Sequence, residues 1–564
     1  MIPTTQTELN SLLHDLQKSK SLWINIGIPE RIRLLRECAD ATLAASEDFV
    51  REACMAKGIS FNSSTSAEEW FAGPNCILRS LRLLNDSLDS LQNHGHTGIT
   101  RKDLKTLPDG QVVAKIFPRD VKDKILWGGF SAEIWQDPRE NIEKVLEEMG
   151  WIYRDKKETP KIALVLGAGN VSSIGPLDVL TKLFAEDQVC LLKMNPVNEY
   201  SGPHVVKCLK PLFDAGFVKL AYGGSEVGSY LVNHPLVDEI HITGSDTVHD
   251  LIVWGVGEEQ KINKAKKTPK IKKRITSELG CITPVILVPG EWSEKELDFQ
   301  AQNVATMVAN NASFNCNAAK VLITSAGWKQ RDKFLSKVES ILEKIPPRKT
   351  YYPGSDKKYN SFIQSHPEAK KLGAKAESGK LNWTTIFRVD PNKKDDIVFT
   401  QEAWCGIVAE TGLSELDPVS FLKSAVDFCN NQLWGTLSCS LIVDPRTAKK
   451  LGSYLEKAVA HLRYGTVAVN HWAGLSYAFG QTAWGAYPGH TLDNIGSGIG
   501  FVHNTFLFKN PQKSVIWGPF TMTPKPPWFS THQNSHNVAQ KMMAFEHSPS
   551  FCKIPGIILA ALKG

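Results

Sequence analysis

KIALVLGAGN, residues 161–170, decides the fold class. Ile162 to Leu166 is an unbroken apolar run that stops at Gly167-Ala168-Gly169, the length of a strand closed by a turn. A strand that is apolar on both faces has no wet side, so it belongs inside a sheet covered twice. The pattern then repeats, with a helix over 177–185, a strand over 189–194, a helix over 205–210, a strand over 218–222, a helix after Ser225 and a strand over 239–243. This alternation predicts an α/β protein with a doubly wound, nucleotide-binding parallel sheet. The glycine pair opens a G-x-G-x-x-G turn, yet the third position is Ser172, so a phosphate site has to be made differently.

Upstream, residues 8–57 read as helices, with Leu9, Leu12, Leu13 and Leu16 at helical spacing. A second helical block covers about 67–91 and breaks at Gly73-Pro74, and 112–117 reads as β. Residues 124–139 have no clear period. After Arg274 a second αβ region runs to about 462, followed by a Gly- and aromatic-rich segment over 464–508. Pro524, Pro526 and Pro527 predict an extended strap in the tail, whose apolar end, 554–562, is expected to dock on the protein.

A chain of 564 residues exceeds one simple core, so two or three domains are expected. Charge is nearly balanced, 65 basic against 59 acidic residues, which gives no nucleic-acid footprint. Eleven cysteines without paired spacing suit free thiols in a reducing compartment. The start, MIPTTQTELN, lacks a secretory pattern, and no apolar run approaches the roughly 18 residues of a span. A cytoplasmic protein without stable membrane insertion is expected. Residues 261–274 carry eight Lys or Arg, either a solvated surface or an attraction for an anionic cofactor or partner.

The chemistry is carried by NNASFNCNAAKV, residues 310–321. Small neighbours let a substrate and a backbone N–H approach the sulfur of Cys316, which becomes a nucleophile once its proton is removed. A buried cysteine is ordinarily just a small apolar residue, but this one has company. TSELG, 276–280, places Glu278 38 residues before it; EIHITGS, 239–245, and YGGSEVG, 222–228, lie further upstream; EAWCG, 402–406, lies downstream; Asn170 and Lys193 close two strands. In this order and spacing the chain resembles the aldehyde dehydrogenase superfamily over roughly residues 20–508.

The resemblance implies an aldehyde dehydrogenase-like fold of two doubly wound, Rossmann-like αβα domains plus a small oligomerisation β-hairpin region. Cofactor binding would fall in 1–277 and catalysis in 278–466, with 467–509 returning to the first domain and 510–564 an extension. It implies a homodimer or homotetramer, NAD or NADP as cofactor, a small aldehyde as substrate, and no metal. Cys316 would attack the aldehyde, Asn170 and the Cys316 N–H would hold the oxyanion, and Glu278 would activate the hydrolytic water. Lys193, Gly224, Gly244, Ser245, Leu279, Glu402 and Trp404 would bind the cofactor, with Gly244 and Ser245 opening a helix N-terminus for the pyrophosphate. Asn470 matches a position near the substrate tunnel, and Trp472, Tyr477 and Phe479 hint at an aromatic entry.

The departures from the family are specific. Ser313 and Phe314 replace Gly and Gln before the cysteine, Cys281 replaces a glycine, His249 stands near a missing glycine, and Pro196 replaces the acid that favours NAD. Three readings follow: a hydrolytic dehydrogenase, a CoA-acylating enzyme or acyl-CoA reductase on the same scaffold, and a catalytically weak binding paralogue.

Overall fold

The apolar strands fold as their periodicity requires. In a computed structural model that describes residues 1–154 and 159–564, Lys161–Leu166, Gln188–Lys193, Val218–Ala221, Glu239–Gly244 and Arg274–Leu279 form a parallel sheet. Numbered along the chain, their spatial order is 3-2-1-4-5, which leaves a crevice at the carboxyl ends between the first and fourth strands. Register sets Lys193 beside Leu166, Glu278 beside Thr243 and Leu279 beside Gly244, so residues far apart in sequence share one edge. Gly498–Ile499 adds an antiparallel sixth strand against Glu278 and Ser277. Gly498 has φ +116°, and a Cβ there would strike the Ser277 carbonyl, so only glycine fits.

The second sheet has eleven strands. Its parallel centre includes Thr283–Leu287, Ala319–Ser325, Ile407–Leu413, Ser438–Ile442 and Thr466–Val469. Arg274–Leu279 ends in the first sheet and Thr283–Leu287 begins in the second. Ala319 pairs with Thr283, which brings Cys316 back to the crossing between the sheets where Glu278 sits.

Two segments join this sheet from outside the expected boundaries. Pro511–Trp517 runs parallel to Thr466–Val469, so the extension drawn from residue 510 begins with a core strand. Ser131–Gln136 pairs with its other edge and with Val112–Phe117. The aperiodic stretch over 124–139 therefore hides a strand, masked because it is apolar on one face and mixed on the other. The resemblance implied a hairpin reaching a second subunit; this ribbon joins the eleven-stranded sheet of its own chain, with Leu104–Thr106 at the sheet edge.

The helices follow the reading closely, as Gln6–Asn25 and Ile28–Lys57, then Ala67–Trp70 and Cys76–His94 on either side of a break at Gly73. The tail folds back as Ser535–His547 and Ile554–Ala561. Glu546 in the first of these is fully buried and pairs with Arg79 at 2.5 Å and Arg82 at 2.6 Å on Cys76–His94. None of the helices among the described residues is long and apolar enough to cross a membrane.

Candidate functional site

The helix Glu294–Ala309, opened by a Ser293 capping box, leads into the Cys316 loop. Asn311, Ala312 and Ser313 then adopt φ of +51°, +55° and +69°. Left-handed backbone costs energy at each non-glycine residue and persists only when surroundings enforce it. Two buried lysines supply that enforcement. Lys57 Nζ donates to Asn311 Oδ1 (3.0 Å), the Asn170 carbonyl (3.0 Å) and Glu69 (2.8 Å). Lys320 Nζ donates to the Ser313 carbonyl (3.1 Å) and hydroxyl (2.8 Å) and to the Cys405 carbonyl (3.0 Å). Burial pushes the Lys320 ammonium down to about 8. Sequence reading missed both; the signal for Lys320 was a lone cation inside an apolar strand.

Phe314, the departure nearest the nucleophile, turns inward and packs on Tyr351 at 4.9 Å and Tyr352 at 5.8 Å between ring centroids. Cys316 Sγ donates to Glu278 Oε1 at 3.2 Å. Burial first, with the Asp178 and Glu402 charges adding, lifts the Glu278 carboxyl to about 7. Burial and the Glu278 and Glu402 charges hold the thiol well above its ordinary value. Proton transfer from sulfur to carboxylate thus needs no intermediary.

Asn170 reaches this loop but spends one amide hydrogen on the Phe314 carbonyl at 2.9 Å. A primary amide carries a second. Glu402 lies behind Glu278, accepting from the Cys281 N–H at 3.3 Å, and burial lifts it to about 7 against the opposing Lys358 and Lys320 charges. A Cβ on Gly280 would collide with the Glu402 carboxylate, which explains the glycine. Trp404 sits at φ +47° with its ring 5.3 Å from Tyr352, packed as part of the same aromatic group.

The remaining predicted residues lie along the carboxyl edge of the six-stranded sheet. Lys193 is buried where its strand ends, and burial lowers its ammonium. Gly224 and Ser245 precede the helices Ser225–Asn233 and Asp246–Trp254. A Cβ at 224 would meet nothing within 4 Å, and one at 244 only Ile242 at 3.6 Å, so both glycines border open space. The Ser245 hydroxyl caps its helix by accepting from the Val248 N–H at 3.2 Å. The Leu279 N–H donates to the Ser497 carbonyl at 2.8 Å. His249 points into the core and does not crowd the turn. Asn470 is structural, accepting from the Val443 N–H at 2.9 Å.

A cavity of about 1130 Å³ opens from Asn170 and Cys316, lined by Trp472 and Tyr477 and, on another side, by the tail. Phe479 lies instead in the core, 4.7 Å from Phe117 between ring centroids.

With this geometry established, the comparisons are direct. The Aldehyde dehydrogenase family profile matches residues 182–379, which include Glu278 and Cys316. An aldehyde dehydrogenase of Enchytraeus buchholzi is 27% identical over 293 residues. Both matches point to the aldehyde dehydrogenase family. The matched stretch spans about half the length of that curated relative, 52% of it and 49% of this chain. Solved structures share the superfamily fold across nearly the whole chain. An NADP-complexed glyceraldehyde-3-phosphate dehydrogenase of Methanocaldococcus jannaschii superposes with TM-score 0.60 at 14% identity, covering 92% of this chain and 96% of its own. An NAD-dependent aldehyde dehydrogenase of Sinorhizobium meliloti gives 0.60 at 16% identity, covering 94% and 90%. As an aldehyde dehydrogenase-like α/β protein, the chain therefore combines a recognisable scaffold with its own loop and tail.

Proposed function

We propose that the protein oxidises an aldehyde to a carboxylate with NAD or NADP, through a Cys316 thiohemiacetal and thioester. The observation that carries this is the 3.2 Å contact between Cys316 and Glu278, with a carboxyl raised to about 7 by burial. Glu278 takes the thiol proton, and Cys316 attacks the carbonyl carbon. The free Asn170 N–H and the Cys316 N–H stabilise the oxyanion. A nicotinamide held along the Lys193, Gly244 and Glu402 edge would supply the hydride acceptor for the thiohemiacetal carbon. Glu278, at the same sulfur and once its proton has passed to solvent, then activates the water that cleaves the thioester.

The sheet edge suits a dinucleotide: Gly224 and Gly244 border open space, a helix begins at Asp246, and Lys193 closes its strand beside them. Lys193, Gly224, Gly244, Ser245, Leu279, Glu402 and Trp404 are the proposed cofactor residues. NADP and NAD complexes are described for structural relatives. A cytoplasmic homodimer or homotetramer remains part of the proposal; because the ribbon is paired internally, assembly would use another surface or exchange of the ribbon between copies.

The CoA-acylating alternative leaned on the basic segment. Lys261, Lys264, Lys267, Lys270 and Arg274 there pair with carboxylates, and Lys273 donates to the Val232 and His234 carbonyls. Six of the eight basic residues thus have partners within the fold, which weakens the case for a CoA phosphate site there. The test is nicotinamide reduction by the purified protein with an aldehyde panel, with and without CoA. Activity without CoA that falls at least ~10⁴-fold in Cys316→Ala is expected, since the nucleophile is gone. Activity only with CoA would replace hydrolysis by acylation.

A further inference from the structure

The tail lies against the nucleophile's own support. Gln300 Nε2 donates to the Phe520 carbonyl at 2.6 Å, the Thr531 hydroxyl to Gln302 Oε1 at 2.6 Å, and the Ser530 N–H to the Thr306 hydroxyl at 3.0 Å. All three partners lie on Glu294–Ala309, the helix that delivers Cys316. The strap continues into the terminal helices through His532 and Asn534, whose side chains meet the Ala561 and Ala560 carbonyls. The far end is fixed by the buried Glu546 with Arg79 and Arg82.

Met522, Trp528, Phe529, Ile557 and Ile558 of this tail line the cavity that begins at Cys316. Opposite them, Trp127 stacks on Trp528 at 5.5 Å. Most buried and half-buried charges in the same lining pair with one another, Lys57 with Glu69, Arg348 with Glu68 and Arg79 with Glu546, while the half-buried Lys525 of the tail donates to the Thr531 carbonyl at 3.3 Å. Asp298 and Lys344, which also line it, are exposed to solvent. The interior thus offers apolar surface and few free charges, in a volume at the upper end of ordinary ligand pockets.

Resting on the proposed dehydrogenase reading, we propose that the tail, residues 520–561, is the wall that selects the substrate, and that the substrate is an aldehyde on a long aliphatic body. The aldehyde carbon sits at Cys316 and the chain lies along Met522, Trp528 and Ile558. Each methylene removed from water strengthens binding about fourfold, so a chain that reaches the tail gains orders of magnitude over a short one.

The test compares dodecanal with propanal on the full-length protein. The expected kcat/KM ratio favours dodecanal at least ~100-fold, and Ile558→Trp, which fills the cavity from its half-buried wall, lowers that ratio at least tenfold. Met522→Trp serves as a second filling variant should the first not fold. A second readout needs no turnover: dodecan-1-ol, and not propan-1-ol, slows iodoacetamide alkylation of Cys316, read by peptide mass, and Ile558→Trp removes the protection. Equal rates for the two aldehydes, a ratio unmoved by both variants, or no protection by dodecan-1-ol would overturn the proposal. Protection without nicotinamide reduction by either aldehyde would uphold the cavity assignment and sink the dehydrogenase reading instead.

Discussion

Glu278 and Glu546 are the same residue in two buried places, and the molecule treats them oppositely. Glu278 faces a thiol and the Trp484 indole but no cation, and burial outweighs both and lifts it to about 7. Glu546 is also buried, but the Arg79 and Arg82 charges outweigh that burial and hold its carboxyl below the ordinary range. A buried carboxylate with two guanidinium partners is an anchor. One left without a cation keeps a proton affinity near neutrality, which is what a base must have.

The contrast can be broken at either end. Glu278→Gln keeps the shape and removes the base, so turnover is expected to fall ~10³-fold, with acyl-enzyme accumulating in intact-mass spectra. Loss of activity without acyl-enzyme would place its role at thiol activation alone. Glu546→Ala strips the buried Arg79 of its counter-ion and leaves the half-buried Arg82 only Asp86, and is expected to cost about 3 kcal/mol in urea unfolding. A cost under about 1 kcal/mol would mean that apolar packing, not charge, holds the tail.

The smallest effect is the most diagnostic. The raised Glu278 carboxyl binds its proton more tightly folded than unfolded, so its burial destabilises the protein progressively as pH climbs from 4.5 to about 7. Glu278→Gln should therefore match wild type at pH 4.5 and exceed it by about 2 kcal/mol at pH 8. Glu546, depressed, has the opposite slope, and its contribution is lost as pH falls through the carboxylate range. A variant no more stable at pH 8 would mean that Glu278 is not buried unpaired.

The parallel sheet was legible because Ile162–Leu166 and Val189–Leu192 are apolar on both faces, a pattern few other structures produce. The family resemblance singled out Cys316 and Glu278, which the fold brings into contact. The loop's support was not: Lys57 lies 254 residues from Asn311, and nothing local marks a helix-terminal lysine as a clamp. Ser131–Gln136 was hidden because its period is mixed, and the aromatic turn of Phe314 into Tyr351 and Tyr352 depends on packing that sequence spacing does not encode. For the tail, proline spacing indicated a strap but could not say which surface it would cover.

The pairing of Arg79 with Glu546 also has a history in time. The two residues are 467 positions apart. At translation rates of about 5–20 residues per second, Arg79 leaves the ribosome on the order of 25–90 s before its counter-ion exists. During that interval its helix presents two cations that the finished protein pairs with Glu546. The six-stranded sheet can fold early from local strands, while the chamber around Cys316 is completed late, by a long-range contact that closes only after most of the chain has been made.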